Sequence, residues 1–306
     1  VISLAGLASL AEAYGTALHH PVAELTIAGS VYDLGAGPLL MGVLNLSRDS
    51  TYRHSIAVST ESAVRRARIL VAQGATFVDV GAESTTVRAD RVPASEQAAA
   101  IVPVVERLAG LGVSTSVEAY DPSVVRACLE AGAAVVNLTG TAHEDEILDL
   151  AAEHQAAVIL CFMPGENARD VGDLPVDGDP FPVLRDHFAA RIEHSRARGV
   201  EQLVIDPGLG FYYANLTEPA VRAQQQAALL TSTFRLSELG VPICQALPHA
   251  FDLFEEEFRT AEGFFAVLAL LGGAHVLRVH EVSRVAAVTR AMTALDVGVG
   301  VPIVRA

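Results

Sequence analysis

The sequence predicts an α/β protein, a (β/α)8 TIM barrel with an N-terminal helix and β-hairpin extension. Three observations carry this prediction. Short apolar, β-branched runs alternate with longer amphipathic stretches eight times, many helix-to-strand turns carry a glycine, and polar residues collect at the C-terminal ends of the runs. Strict strand–helix alternation implies a parallel sheet, because a parallel crossover needs a helix to span it. A doubly wound open sheet is the other arrangement that this pattern allows.

The elements follow in order. Residues 1 to about 19 read as a helix, since VISLAGLASLAEAYG has no basic head of a secretory signal and carries Glu12 inside its apolar stretch. Residues 23–35, AELTIAGSVYDLG, alternate like a hairpin able to plug the N-terminal end of a barrel. We therefore expect an extension over 1–37 and the barrel over 38–306, one domain overall. The barrel strands are expected at 38–44, 75–81, 113–118, 133–138, 156–162, 202–206, 241–245 and 275–280. Between them ESAVRRARILVAQ, SEQAAAIVPVVERLAGL, PSVVRACLEAG and FPVLRDHFAARIEHSRARG repeat apolar residues at three and four, the spacing of one helix face. QGATF, LGVST, AGAAV, RGVEQ, LGVPI and GGAHV end helices on glycine, which turns the chain back toward the next strand.

Composition narrows the function. A net charge of −15 opposes nucleic-acid binding and attraction to anionic membranes, so an anionic ligand needs a local cationic pocket. No apolar run approaches a membrane span, and Cys128, Cys161 and Cys244 are too scattered for a zinc knuckle or a disulfide framework, which fits a reducing cytoplasm. All 21 basic residues are arginine. Lysine Schiff-base chemistry and covalent pyridoxal phosphate are therefore excluded, and no covalent cofactor is expected.

The strand ends in this fold build the active site. They are Asn45, then Asp79 and Glu83, Glu118, Asn137, Phe162, Asp206, Gln245, and last Arg278 with His280. Any one of them has a structural reading as a cap, a turn residue or an ion pair, as Arg278 could pair with Glu118. Burying nine polar groups of ten without a ligand is costly. Asp206 and Asn137 can read the edge of a flat heterocycle, Arg278 and His280 can hold an anion, and Asn45 can ligate a hard metal through its amide oxygen.

Along these same residues the chain resembles the dihydropteroate synthase family, from about residue 23 to about residue 295. VLNLSRDS resembles the family's LNVTPDSF, VDVGAEST its IDIGGEST, VVNLTG its INDISG and RVHEV its RVHDV, and DPGLGF matches its sixth-strand motif. The resemblance implies joining of a dihydropterin methyl pyrophosphate to p-aminobenzoate with release of pyrophosphate, Mg²⁺ assisting the leaving group. It further implies that Asn45 binds metal and pyrophosphate, that Asn137, Asp206 and Glu118 bind the pterin, and that Arg278 covers the ring while His280 contacts pyrophosphate. Ser84 and Thr85 would serve the second substrate loop, and Gln245 the seventh strand end. A cytoplasmic homodimer is implied as well, its face on the apolar stretches FFAVLALLGGA and VAAVTRAMTAL.

The departures are specific. The family's SRK is here Pro248, His249 and Ala250, so its lysine is gone and His249 is the substitute at hand. Thr51 and Arg53 alter the first loop and Thr86 the second, while Glu118, Leu138 and Phe162 replace aspartate, aspartate and histidine. The expected partners are thus a pterin or related heterocycle and p-aminobenzoate or another nucleophile. A catalytically inactive pterin-binding paralogue and a methyltetrahydrofolate-dependent methyltransferase remain as alternatives.

Overall fold

The computed structural model describes residues 2–47, 56–57, 59–83, 91–163, 165–167, 173, 178–209 and 215–295. Helices α1 (Leu4–Ala13) and α2 (Gly15–Leu18) lead into an antiparallel hairpin of β1 (Leu25–Ile27) and β2 (Ser30–Tyr32). Strands and helices then alternate: β3 (Leu39–Asn45), α3 (Thr60–Ala72), β4 (Phe77–Gly81), α4 (Ala94–Ala109), β5 (Thr115–Ala119) and α5 (Pro122–Glu130). They continue as β6 (Val135–Leu138), α6 (Glu144–Glu153), β7 (Ala157–Cys161), α7 (Phe181–Ala197), β8 (Leu203–Asp206) and α8 (Pro219–Ser232). The circuit ends with β9 (Cys244–Ala246), α9 (Phe251–Phe254), α10 (Ala261–Leu271), β10 (Val276–Val279) and α11 (Val282–Ala294).

The eight strands β3–β10 form one parallel sheet in the order β8-β7-β6-β5-β4-β3-β10-β9. A parallel bridge between Ile205 and Ile243, with the Ile205 amide donating to the Pro242 carbonyl at 3.0 Å, joins the two edges. That closure decides for the barrel over the open sheet. Local sequence explains the helix starts: Asp121 caps α5 by accepting from the Ser123 amide at 2.9 Å, and Pro122 follows with a backbone angle already suited to a first helical turn. The glycines of the six helix-to-strand turns, Gly74 to Gly273, have φ between 70° and 113°, a region closed to most side chains.

The core has two layers. Between strands and helices lie Val78, Val80, Val117, Leu138, Leu160, Leu277 and Val279 with the apolar helix faces. Inside the barrel, Leu39, Met41, Phe77, Val135, Ile159, Val204 and Val276 pack against Leu25 and Ile27 of the hairpin. The hairpin therefore seals the N-terminal end of the barrel, anchored by the Thr26 amide donating to Gln202 Oε1 at 2.8 Å.

Most strand boundaries shift by one or two residues, and two differences from expectation are larger. The N-terminal helix is broken at Tyr14, which leaves helical geometry where its ring lies 3.8 Å under the Arg235 guanidinium. The seventh barrel strand begins at Cys244 instead of 241, because Pro242 has no amide to donate to a ladder.

Candidate active site

Strand parity decides which side chains enter the barrel. In β4, β5, β6, β8 and β10 the inward register carries Asp79, Ser116 with Glu118, Asn137, Asp206 and Arg278, all above the apolar plug. Asp79 is the hub and is fully buried: Oδ1 accepts from Ser116 Oγ at 2.7 Å, while Oδ2 accepts from Asn137 Nδ2 at 3.2 Å and Arg278 Nε at 2.7 Å. Arg278 also donates to Glu118 Oε2 at 2.5 Å, so it lies across the mouth between two carboxylates. The ion pair suggested by sequence is present, and Asp79 shares it.

Asp206 completes this floor. Its Oδ1 accepts from the Gly208 amide at 2.8 Å, and the DPG turn thereby holds the carboxylate at the end of β8. The Cys161 thiol donates to Asn137 Oδ1 at 3.3 Å, which leaves the amide group pinned on both sides. Burial raises the Cys161 and Cys244 thiols well above their ordinary range, so both stay neutral.

Electrostatically the floor holds three carboxylates beside one guanidinium. Burial pushes Glu118 up to about 7 against the pull of Arg278, with Asp79 and Asp206 adding to the rise. Burial likewise lifts Asp206 to about 6, opposed by the Gly208 amide and Arg278. Burial opposes the charge of Arg278, but Glu118 and Asp79 outweigh it and keep it protonated. Such a floor suits a neutral or cationic donor edge on a ligand.

The rim between β9 and β10 has different chemistry. His280, at the end of β10, points Nδ1 at Glu262 Oε1 from α10 at 3.0 Å, and His249 Nδ1 lies 3.5 Å from the same oxygen. Burial and the Arg278 charge press His280 down to about 3, and burial with His280 presses His249 down to about 4, so both rings are neutral. Burial raises the carboxyl of Glu262. A pocket of ≈ 610 Å³, counting its open mouth, adjoins this rim and is lined in part by Arg222, Gln226, Pro248, His249, Ala250 and Arg278.

Other sequence candidates fall elsewhere. Gln245 is fully buried and pairs in register with Leu277 on the helix side, its Nε2 donating to Thr233 Oγ1 at 2.6 Å. It is a support of the barrel wall, because its neighbours Cys244 and Ala246 take the inward positions. Phe162 also turns outward, its ring edge-on to His187 at 4.9 Å between centroids, and Leu138 is buried against the helices. Glu83 ties loop ends together, accepting from the Val92 amide at 3.0 Å and from the Tyr120 hydroxyl. Glu281, next to His280 in the RVHEV motif, accepts from Arg259 Nε at 2.7 Å. Asn45 is half-buried on the same strand face as Leu39 and Met41. Ser84 and Thr85, with the loop positions 51, 53 and 86, lie outside the described residues.

Sequence reasoning placed Asp79 among the polar strand ends without giving it a specific task, and it did not place Ser116, Cys161, Cys244 or Glu262 in the site. Asp79 was legible from the two-residue period of VDVG; Glu262 left only the trace of a lone acid at the head of the apolar stretch AEGFFAVLALL.

A family model described as pterin binding enzyme matches residues 41–280. The dihydropteroate synthase of Synechocystis sp. is 30% identical over 282 residues, covering 89% of this chain and 94% of its own. Among solved structures, the Xanthomonas albilineans dihydropteroate synthase with 4-aminobenzoic acid is similar at a TM-score of 0.73 and 31% identity, over 89% of this chain and 97% of that one. The same enzyme in complex with 7,8-dihydropteroate is similar at a TM-score of 0.71 and 28% identity, over 89% of this chain and 98% of that one.

Proposed function

The chain belongs to the pterin-binding enzyme family, and from that premise we propose that it is a transferase of the dihydropteroate synthase type. It displaces pyrophosphate from 6-hydroxymethyl-7,8-dihydropterin pyrophosphate with p-aminobenzoate or a related amine. The observation that carries this reading is the inward set of Asp79, Glu118, Asn137, Asp206 and Arg278 above a sealed apolar base.

A pterin presents two adjacent N–H donors and a carbonyl on one edge. Asp206 accepts from that donor edge, and the Asn137 amide, held by Asp79 and Cys161, reads the rest. Arg278 lies over the ring from β10, and Glu118 reaches it with one more methylene than the aspartate it replaces. Bond breaking to pyrophosphate develops charge on the leaving group and cation character on the pterin methylene, so the site must neutralise the first and stabilise the second. Arg278 and His280 serve the leaving group, and the carboxylate floor serves the ring.

The donors at the end of β3 fit Mg²⁺ as this ion is usually held, with one hard protein oxygen from Asn45 and the rest from waters and substrate phosphates. When bound there it supplies further charge neutralisation to the pyrophosphate. Ser84 and Thr85 serve the amine from the second loop. His249 and Ala250 stand where the family has arginine and lysine, and Arg222 and Gln226 line the adjoining pocket, so the amine is oriented by different donors. A changed amine preference follows.

We place the enzyme in the cytoplasm as a homodimer, with residues 1–37 as an extension and 38–306 as the barrel. Phe264, Val267 and Leu271 form one incompletely buried apolar stripe on α10, Phe264 and Leu271 being 45% and 48% exposed. Among the described residues no helix is long and apolar enough to cross a membrane. A monomeric mass in sedimentation would remove the dimer.

Calorimetric titration with the dihydropterin pyrophosphate, with and without Mg²⁺, tests the reading, followed by chromatographic detection of 7,8-dihydropteroate after p-aminobenzoate is added. Tight Mg²⁺-dependent binding and product are expected. Binding without any product across an amine panel would support the inactive paralogue, and no binding would overturn the pterin assignment.

A further inference from the structure

We propose that His249, Glu262 and His280 form a binding site for one divalent transition metal ion of the zinc class at the rim of the barrel mouth. The three residues come from separate elements: the loop after β9, the first turn of α10 and the end of β10. One ligand atom from each lies within 4.8 Å of the others. Both imidazole Nδ1 atoms converge on one oxygen, Glu262 Oε1, at 3.0 Å for His280 and 3.5 Å for His249. The two rings meet edge to face with centroids 4.5 Å apart. Separations of this size are those of donors around a common ion.

The carboxylate is positioned for that task. Glu262 Oε2 accepts from the Glu281 amide at 2.8 Å, and the His280 amide is shared between the two carboxylate oxygens at 3.0 Å each, which fixes the group with Oε1 facing the two histidines. Its side chain is 1% exposed, so its charge is paired inside the protein or not at all. A carboxylate orienting a single histidine would be a sufficient explanation if only His280 were present. His249 is the additional element: its Nδ1 lies 3.5 Å from the oxygen that His280 Nδ1 approaches at 3.0 Å, so donor atoms of three residues face one point, as they do around a bound ion.

The donor set names the chemical class. Two imidazoles and one carboxylate suit Zn²⁺, Fe²⁺ or Co²⁺, whereas Mg²⁺ prefers oxygen and its own waters. This site is therefore distinct from the Mg²⁺ position at Asn45. Three protein ligands leave a coordination position open, the pattern of reactive rather than purely structural zinc. His249 and His280 line the adjoining pocket with Arg278, so a ligand entering that pocket meets the open position. The metal site stands whether or not the pterin reading is correct.

The test is metal binding to the chelator-treated full chain, with Zn²⁺ followed by calorimetry and Co²⁺ by visible absorption. One ion per chain is expected, with the absorption bands of a low-symmetry four-coordinate Co²⁺ and no displacement by excess Mg²⁺. His249→Ala should weaken binding at least ~10-fold while the far-ultraviolet spectrum stays unchanged, and His280→Asn should do the same. No saturable binding by the wild-type chain would overturn the proposal, as would binding that both variants leave intact. The Co²⁺ spectrum of the wild-type chain decides the matter even if a variant fails to fold.

Discussion

The floor of the barrel mouth and its β9–β10 rim sit side by side and are built on opposite principles. On the floor, Asp79, Glu118 and Asp206 crowd around Arg278, each held by strand parity and by bonds to neighbours on adjacent strands. On the rim, neutral imidazoles face one buried carboxylate, and two of the three residues come from a loop and a helix. The floor's geometry is inherited from the sheet and resists change. The rim's geometry depends on a loop, where His249 and Ala250 stand in place of the resembled motif's arginine and lysine, whereas the floor's own departure, Glu118 for aspartate, keeps a carboxylate. A barrel can thus keep the part of a site that reads one substrate while it remakes the part that meets the other.

The comparison can be broken most severely at the floor's cation. Arg278→Met should cost about 3–5 kcal/mol of stability, because it leaves Asp79 and Glu118 buried without their partner. Urea unfolding measures this, and a loss under ~1 kcal/mol would mean that the floor is not held by its charge. Asp206→Asn should leave the fold intact and weaken pterin binding by about 10- to 100-fold, the range for losing a bond to a charged group. Calorimetry with a dihydropterin checks it, and unchanged affinity would move the ring away from β8.

The third test uses protons. Glu118 is raised from 4.5 to about 7 and Asp206 from 3.8 to about 6. The folded protein therefore holds these protons more tightly than the unfolded chain, and the associated stability is full below about pH 4 and lost as pH rises toward 7. The urea midpoint of Glu118→Gln should fall less than that of the wild type between pH 5 and 7.5, and parallel curves would show that Glu118 does not titrate there. The smallest effect is expected from Phe162→His. Phe162 packs outward on His187 and Phe188, so restoring the family's residue should change pterin affinity by no more than about twofold.

The strands were legible because their β-branched runs are bounded by glycine turns, and each of the eight predicted runs contains an observed strand or most of one. The floor was legible in part for the same reason, since a residue's place at a strand end follows from the run that precedes it. Facing is a finer matter: Gln245 and Phe162 stand at strand ends yet point outward, and only the two-residue alternation from Cys244 and Cys161 tells them apart from their neighbours. Glu262 was hidden because it lies 18 residues before His280 on a different element, and the turn that brings them together leaves no spacing to recognise.

The hairpin plug makes the barrel a cul-de-sac. Whatever lies on the floor entered through the mouth and must leave by it, past anything seated at the rim. The deeper substrate has to arrive first, and the outer one, arriving early, bars its way. Steady-state kinetics should therefore be ordered, with excess amine inhibiting at low pterin concentration and the inhibition relieved as pterin saturates.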